Sequence, residues 1–134
     1  MTLPVVRRWF NRLPEAERDL PIVTINGVAY TPRMILAEVE RGTPLGRRLQ
    51  AMVEAGQLAA SGPEDLERLA KLRLKMVLER LPERPLIACL REDHVRVYTP
   101  RQLLKEIEAQ TEVGRAFIEA ELEVMRRLVA MARR

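Results

Sequence analysis

Cysteine occurs once, at Cys89, so neither an intramolecular disulfide nor a cysteine-rich zinc site can form within this chain. His94 is the only histidine, and a metal centre would have to take its other ligands from carboxylates. The sequence holds no Ser-His-Asp or Cys-His set, no glycine-rich phosphate loop and no pair of histidines at metal-binding spacing. No catalytic residue, metal ligand or cofactor is therefore assigned. Aromatic residues are few: Trp9, Phe10, Tyr30, Tyr98 and Phe117. The core must be built from Leu, Val, Ile, Met and Ala, which suits helix packing. Long apolar runs are missing too. The longest uncharged stretch, Leu20 to Pro32, is broken by Pro21, Asn26 and Gly27 and is too short to span a bilayer. The first eleven residues carry Arg7 and Arg8 and have no apolar stretch of signal-peptide length. The expectation is a soluble, cytoplasmic protein without a membrane partner.

What is present is a strong apolar content and dense charge. Of 134 residues, 47% are hydrophobic, enough for one compact domain with a real core. Charged residues make up 31%, with a formal net charge of +4. Lys71, Lys75 and Lys105 are the only lysines among 23 basic residues; the rest are arginine. Abundant Arg and Glu with scarce Asn fit a thermophilic source through ion-pair networks. A net charge this small permits acidic or nucleic-acid partners without requiring them.

The most informative feature is a repeat. Tyr30-Thr31-Pro32-Arg33 recurs as Tyr98-Thr99-Pro100-Arg101, an offset of 68 residues. Without a gap, ten of the eighteen positions from Tyr30 to Arg47 match those from Tyr98 to Arg115. The matches include Leu36/Leu104, Glu38/Glu106, Glu40/Glu108, Thr43/Thr111, Gly46/Gly114 and Arg47/Arg115. Two copies are too few for a solenoid, so a face-to-face pair is expected.

Each copy reads as a β-hairpin followed by two helices. Asn26-Gly27 lies between Ile22 and Tyr30 and signals a two-residue hairpin turn. Ile25 would pair with Val28 and Val23 with Tyr30, all four on the core side. In the second copy, Leu86 to Leu90 and His94 to Tyr98 flank the longer turn Arg91-Glu92-Asp93. Thr31 and Thr99 are N-caps, with Pro32 and Pro100 at the first helical position. Ile35, Leu36 and Val39, and their counterparts Leu103, Leu104 and Ile107, form the buried stripes. Gly42 closes the first of these helices. Thr43 and Thr111 cap the next pair, which run to about Ala60 and nearly to the C-terminus. A joining helix over about 63–81 has the stripe Leu66, Ala70, Leu74, Val77 and Leu81, widened by Leu69, Leu72 and Met76. An N-terminal amphipathic helix over about 4–13 has Val5, Val6, Trp9, Phe10 and Leu13 on its apolar side. The predicted fold is a single helix-dominant α+β domain over 1–134. It duplicates a β-hairpin–helix–helix module, over about 20–60 and 86–134, in pseudo-two-fold arrangement. The two hairpins are expected to join in one small sheet.

Several features could carry function. Arg7, Arg8, Trp9 and Arg12 make the N-terminal helix basic and aromatic, a surface that could dock on a partner. The alternative is that its aromatics pack on the core. Thr43, Gly46, Arg47 and Arg48, with Arg115 in the second copy, place Gly and Arg at helix N-termini, where an anion or nucleic acid could bind. The alternative is a capped helix with Gly placed for a close helix crossing. The two-helix pairs also have the outline of a DNA-reading helix–turn–helix, with Arg47, Arg48 and Gln50 facing a groove. Glu119, Glu121 and Glu123 make the second copy a poor partner for phosphates. Ile118, Leu122, Met125 and Val129 form a heptad-like seam that could join two copies of the chain in a homodimer. Cys89 reads as a small apolar strand residue and His94 as a surface histidine beside a turn. Glu38/Glu40 and Glu106/Glu108 lie two apart on a helix and do not face each other, so they are local ion-pair partners, with Arg33 or Arg101 close by. Together these features favour a non-enzymatic binding or regulatory protein that docks on a larger protein assembly through helical and basic-aromatic surfaces. The alternative is a nucleic-acid-binding regulator.

Overall fold

The computed structural model describes residues 4–57, 62–91 and 94–133, and side chains outside 87–95. The readings of Cys89, Glu92, Asp93 and His94 as side chains therefore lie outside the described residues. The chain runs α1 (Val5–Arg12), a 3₁₀ turn (Glu15–Glu17), β1 (Val23–Ile25), β2 (Val28–Tyr30), α2 (Pro32–Arg41) and α3 (Pro44–Ala55). It continues with α4 (Pro63–Arg80), β3 (Leu86–Arg91), β4 (His94–Tyr98), α5 (Pro100–Ala109), α6 (Glu112–Ala130) and a closing 3₁₀ turn (Met131–Arg133). Helices dominate, and the strands are antiparallel hairpins, which makes the fold α+β.

The helix starts follow from capping. The Thr31 hydroxyl accepts from the Met34 N–H, and the Thr99 hydroxyl from the Gln102 N–H. The Thr99 N–H in turn donates to the Gln102 side-chain carbonyl, completing a capping box in the second pair. Pro32 and Pro100 sit where a missing N–H costs nothing. Both α2 and α5 end on a left-handed residue, Gly42 at φ 69° and Gln110 at φ 52°. Glutamine tolerates this conformation less well than glycine, and the N–H of Gln110 compensates by closing onto the last helical carbonyls.

The connection from α2 to α3, and from α5 to α6, is a tight corner. Thr43 accepts from the Gly46 N–H at 2.9 Å, and Thr111 from the Gly114 N–H at 3.2 Å. Each threonine hydroxyl also donates back to the preceding helix, Thr43 to the Glu38 carboxylate at 2.9 Å and Thr111 to the Glu106 carbonyl at 3.4 Å. A Cβ on Gly46 would stand 2.2 Å from the Glu38 carbonyl oxygen, and one on Gly114 2.1 Å from that of Glu106. Only glycine lets the first turn of the second helix lie against the backbone of the first.

The hairpin over Asn26-Gly27 has the expected register, Val23 with Tyr30 and Ile25 with Val28. Val23 and Ile25 are buried, whereas Val28 is exposed, so only part of the expected core face is covered. The hairpins do not join. Each is its own two-stranded sheet, the first held between α2 and α4, the second against α5. A second correction concerns α3, which stops at Ala55 rather than near residue 60. Gly56 turns left-handed at φ 65° and its N–H returns to Met52 and Val53.

Two apolar clusters form the interior. The first gathers Val6, Trp9, Phe10 and Leu13 with β1, α2 and α3, and is closed by Leu128 and Val129 at the end of α6. The second gathers Leu69, Ala70 and Leu78 of α4 with α5 and α6. Thus α1 packs on α2 and α3, as α4 packs on α5 and α6. The sequence match extends to these helices at the same offset: Arg12-Leu13-Pro14-Glu15 recurs as Arg80-Leu81-Pro82-Glu83. Both helices end at the matched arginine, and both matched leucines are extended C-caps, with ψ 142° and 144°.

Candidate docking surface

The N-terminal basic-aromatic helix resolves into a buried side and a paired side. Trp9 is 1% exposed and its indole N–H donates to the Leu128 carbonyl at 2.7 Å. An indole held this way belongs to the core, and the expectation that Trp9 is part of a docking surface is corrected by that burial. Phe10 is buried as well, beneath the Arg18 guanidinium at 4.9 Å and that of Arg33 at 5.4 Å. Arg7 forms a salt bridge with Glu40. Arg8 is half-buried. Arg12 is exposed and reaches the Met131 carbonyl at the far end of the chain in a long contact of 3.5 Å.

The threonine–glycine corners are occupied by the chain's own groups. The Thr43 hydroxyl donates to the Glu38 carboxylate at 2.9 Å, and Arg41 holds the other Glu38 oxygen at 3.0 Å. A carboxylate at the start of α3 repels a second anion, so Thr43 and Gly46 make a structural corner rather than an anion site. Arg47, Arg48 and Arg115 are exposed on the following helices. Arg33 pairs with Asp19 at 2.8 Å, and not with the glutamates of α2. The hydrogen bond from Arg33 holds the Asp19 carboxyl below its ordinary 3.8, with Arg80 and Arg18 adding smaller attractions. The same bond raises the Arg33 guanidinium, and a bond to Tyr98 does so for Arg96.

The heptad-like seam of α6 is consumed inside the chain. Ile118 and Met125 belong to the cluster with α4 and α5, and Val129 to the cluster with α1. Leu122 is half-buried against the former. A seam covered by its own chain is not available to a second copy, which corrects the expectation of a dimer through Ile118, Leu122, Met125 and Val129.

One group escaped the sequence reading. Arg73, on α4, is 0% exposed. It donates to Glu121 at 2.7 Å, to the Pro21 carbonyl at 3.0 Å and to Glu17 at 2.5 Å. Three elements, the segment before β1, α4 and α6, meet on one guanidinium. Its partners lie 48 to 56 residues away in sequence, and no local pattern announces them.

The apolar surface lies on α4. Val77 and Leu81, expected to be buried in the α4 stripe, are each 40% exposed, and Leu72 is 39% exposed. Leu72 lines a shallow groove of about 180 Å³ with Leu69, Ala29 and Gly27, rimmed by Asp65 and Arg68. Val97 on β4 is also open, beside Tyr98, Gln102 and Lys105. Among the described residues no three His, Cys, Asp or Glu side chains converge on a point. No helix among them is long and apolar enough to cross a membrane. Comparison with protein-family models, with curated proteins and with solved structures returns no match to this chain.

Proposed function

We propose that the protein is a non-enzymatic binding or regulatory protein that docks on a larger protein assembly, and that its contact surface is the outer side of α4. The observation that carries this reading is the exposure of Val77 and Leu81, with Leu72, on a helix that places Leu69, Ala70 and Leu78 in the core. Apolar side chains next to one another on a helix end are the usual mark of a contact site. The reading moves the docking surface from α1, whose aromatics are buried, to α4.

The architecture in this proposal is a duplicated helix–hairpin–helix–helix module with its halves in pseudo-two-fold relation. Support comes from matched features at one offset. These are the helix ends at Arg12 and Arg80, the caps at Thr31 and Thr99, the left-handed residues Gly42 and Gln110, and the glycine corners at Gly46 and Gly114. The nucleic-acid alternative draws less support. Of the arginines that would form the basic face, Arg7 is paired with Glu40, which weakens the face that phosphate binding needs.

Affinity capture from the native cell extract tests the reading. The wild-type chain and the Leu81→Glu variant are immobilised side by side. A protein retained by the first and lost from the second is expected. Capture that is equal on both would contradict a contact through α4.

A further inference from the structure

The two matched helices differ in one respect. Val6, Trp9, Phe10 and Leu13 in the first copy correspond by the common offset to Leu74, Val77, Leu78 and Leu81 in the second. Phe10 and Leu78 are equally buried, at 6% and 7%. Trp9 and Leu13 are 1% and 2% exposed, whereas Val77 and Leu81 are 40% exposed. The inner positions pack on the following helix pair in both copies. The outer positions are covered in one copy alone.

What covers the first copy is visible. The end of α6 and the closing 3₁₀ turn lie against α1 and α3, bringing Leu128, Val129, Met131 and Ala132 into the first cluster. Trp9 and Arg12 each donate to a carbonyl of this segment, at Leu128 and Met131. In the second copy the corresponding cover would be a continuation of α3, because α3 and α6 both start at the matched positions 44 and 112. Among the described residues α3 is not continued in this way. The left-handed cap at Gly56 stops α3 after Ala55, while α6 runs on to Ala130. The helix matched to the shielding one stops at Ala55, and Val77 and Leu81 stay 40% exposed.

We infer that the outer side of α4 receives the C-terminal end of an amphipathic helix from a partner protein, with aliphatic residues spaced like Leu128, Val129 and Ala132. The inference rests on the docking reading of α4 and names the chemistry of the partner. Val77 and Leu81 take the aliphatic side chains, at the positions that Trp9 and Leu13 occupy in the first copy. Arg80, exposed and matched to Arg12, takes the last carbonyls of the incoming helix, the favourable end for a cation. The occupant is helical because the one cover the fold displays at this position is helical. It carries no indole partner, since valine stands where the first copy has tryptophan.

A labelled synthetic peptide of residues 117–133 is the probe, titrated against the full-length protein by fluorescence anisotropy. Trp9 is the only tryptophan and reports on the first copy's own cover. Binding is expected with Trp9 emission unchanged. The affinity should fall about tenfold or more in Val77→Glu and in Leu81→Glu, and stay the same in Met34→Glu on α2. Binding that shifts Trp9 emission would mean that the peptide has replaced the chain's own C-terminal segment, and would overturn the inference. So would the absence of binding, or a dimer of the protein alone that Leu81→Glu abolishes. Should the peptide fail while a captured protein still depends on Leu81, the docking reading stands and the helix-end inference falls.

Discussion

Arg73 shows how one residue decides the assembly of the chain. Burying a guanidinium is costly unless its donors are satisfied, and here two carboxylates and a carbonyl meet it. Removing it leaves Glu17 and Glu121 facing each other in a mostly buried place. Arg73→Ala is expected to lower unfolding free energy by about 3 kcal/mol, read by urea denaturation. Arg73→Lys should recover only part of this loss, because an ammonium cannot span three acceptors set by a planar fork. At the surface, the Asp19–Arg33 pair makes a pH prediction. The folded carboxyl titrates below 3.8, so the pair's contribution is present above that value and is lost as pH falls through the lower, folded pKa. An NMR titration of the Asp19 side chain should show the depressed midpoint, and Arg33→Ala should return it toward 3.8. An unchanged midpoint in the variant would assign the shift to some other group.

The same four-residue device, threonine cap to glycine, makes both helix corners. Its local part was readable in the sequence, because Thr at an N-cap and Gly three residues on have few other uses. Its spatial part was not. That Gly46 rests on the Glu38 carbonyl is a fact about two helices, and only the observed crossing displays it. Each of Gly46→Ala and Gly114→Ala forces a Cβ onto backbone and should cost about 2–3 kcal/mol. Similar losses are expected in thermal or urea unfolding of the two variants. A loss at one glycine with none at the other would mean that the corners are not equivalent. The helix stripes were legible in a similar, partial way. Periodicity placed Val77 and Leu81 on the apolar side of α4, but a stripe does not say which of its positions a neighbour reaches. The heptad-like spacing on α6 misled for this reason: Ile118 and Met125 meet α4 and α5 of their own chain.

For the whole molecule, the repeated motif was the strongest signal in the sequence, and the helix-dominant α+β fold is what the structure has. What it left out is which helix faces the rest of the chain covers. Tryptophan and arginine at positions 9 and 12 pointed to a basic-aromatic docking helix, yet long-range closure by residues 128–132 turns Trp9 inward. The matched positions on α4 stay open, and no closure of this kind is seen there among the described residues. The comparison of two truncations tests this account most directly, by urea unfolding of Trp9→Ala beside Val77→Ala. The account predicts a loss of about 3–5 kcal/mol for Trp9→Ala, from the emptied core and the orphaned Leu128 carbonyl. It predicts a loss under about 1 kcal/mol for Val77→Ala, as at an open surface position. Comparable losses at the two positions would contradict it, because Val77 would then be as much a core residue as Trp9.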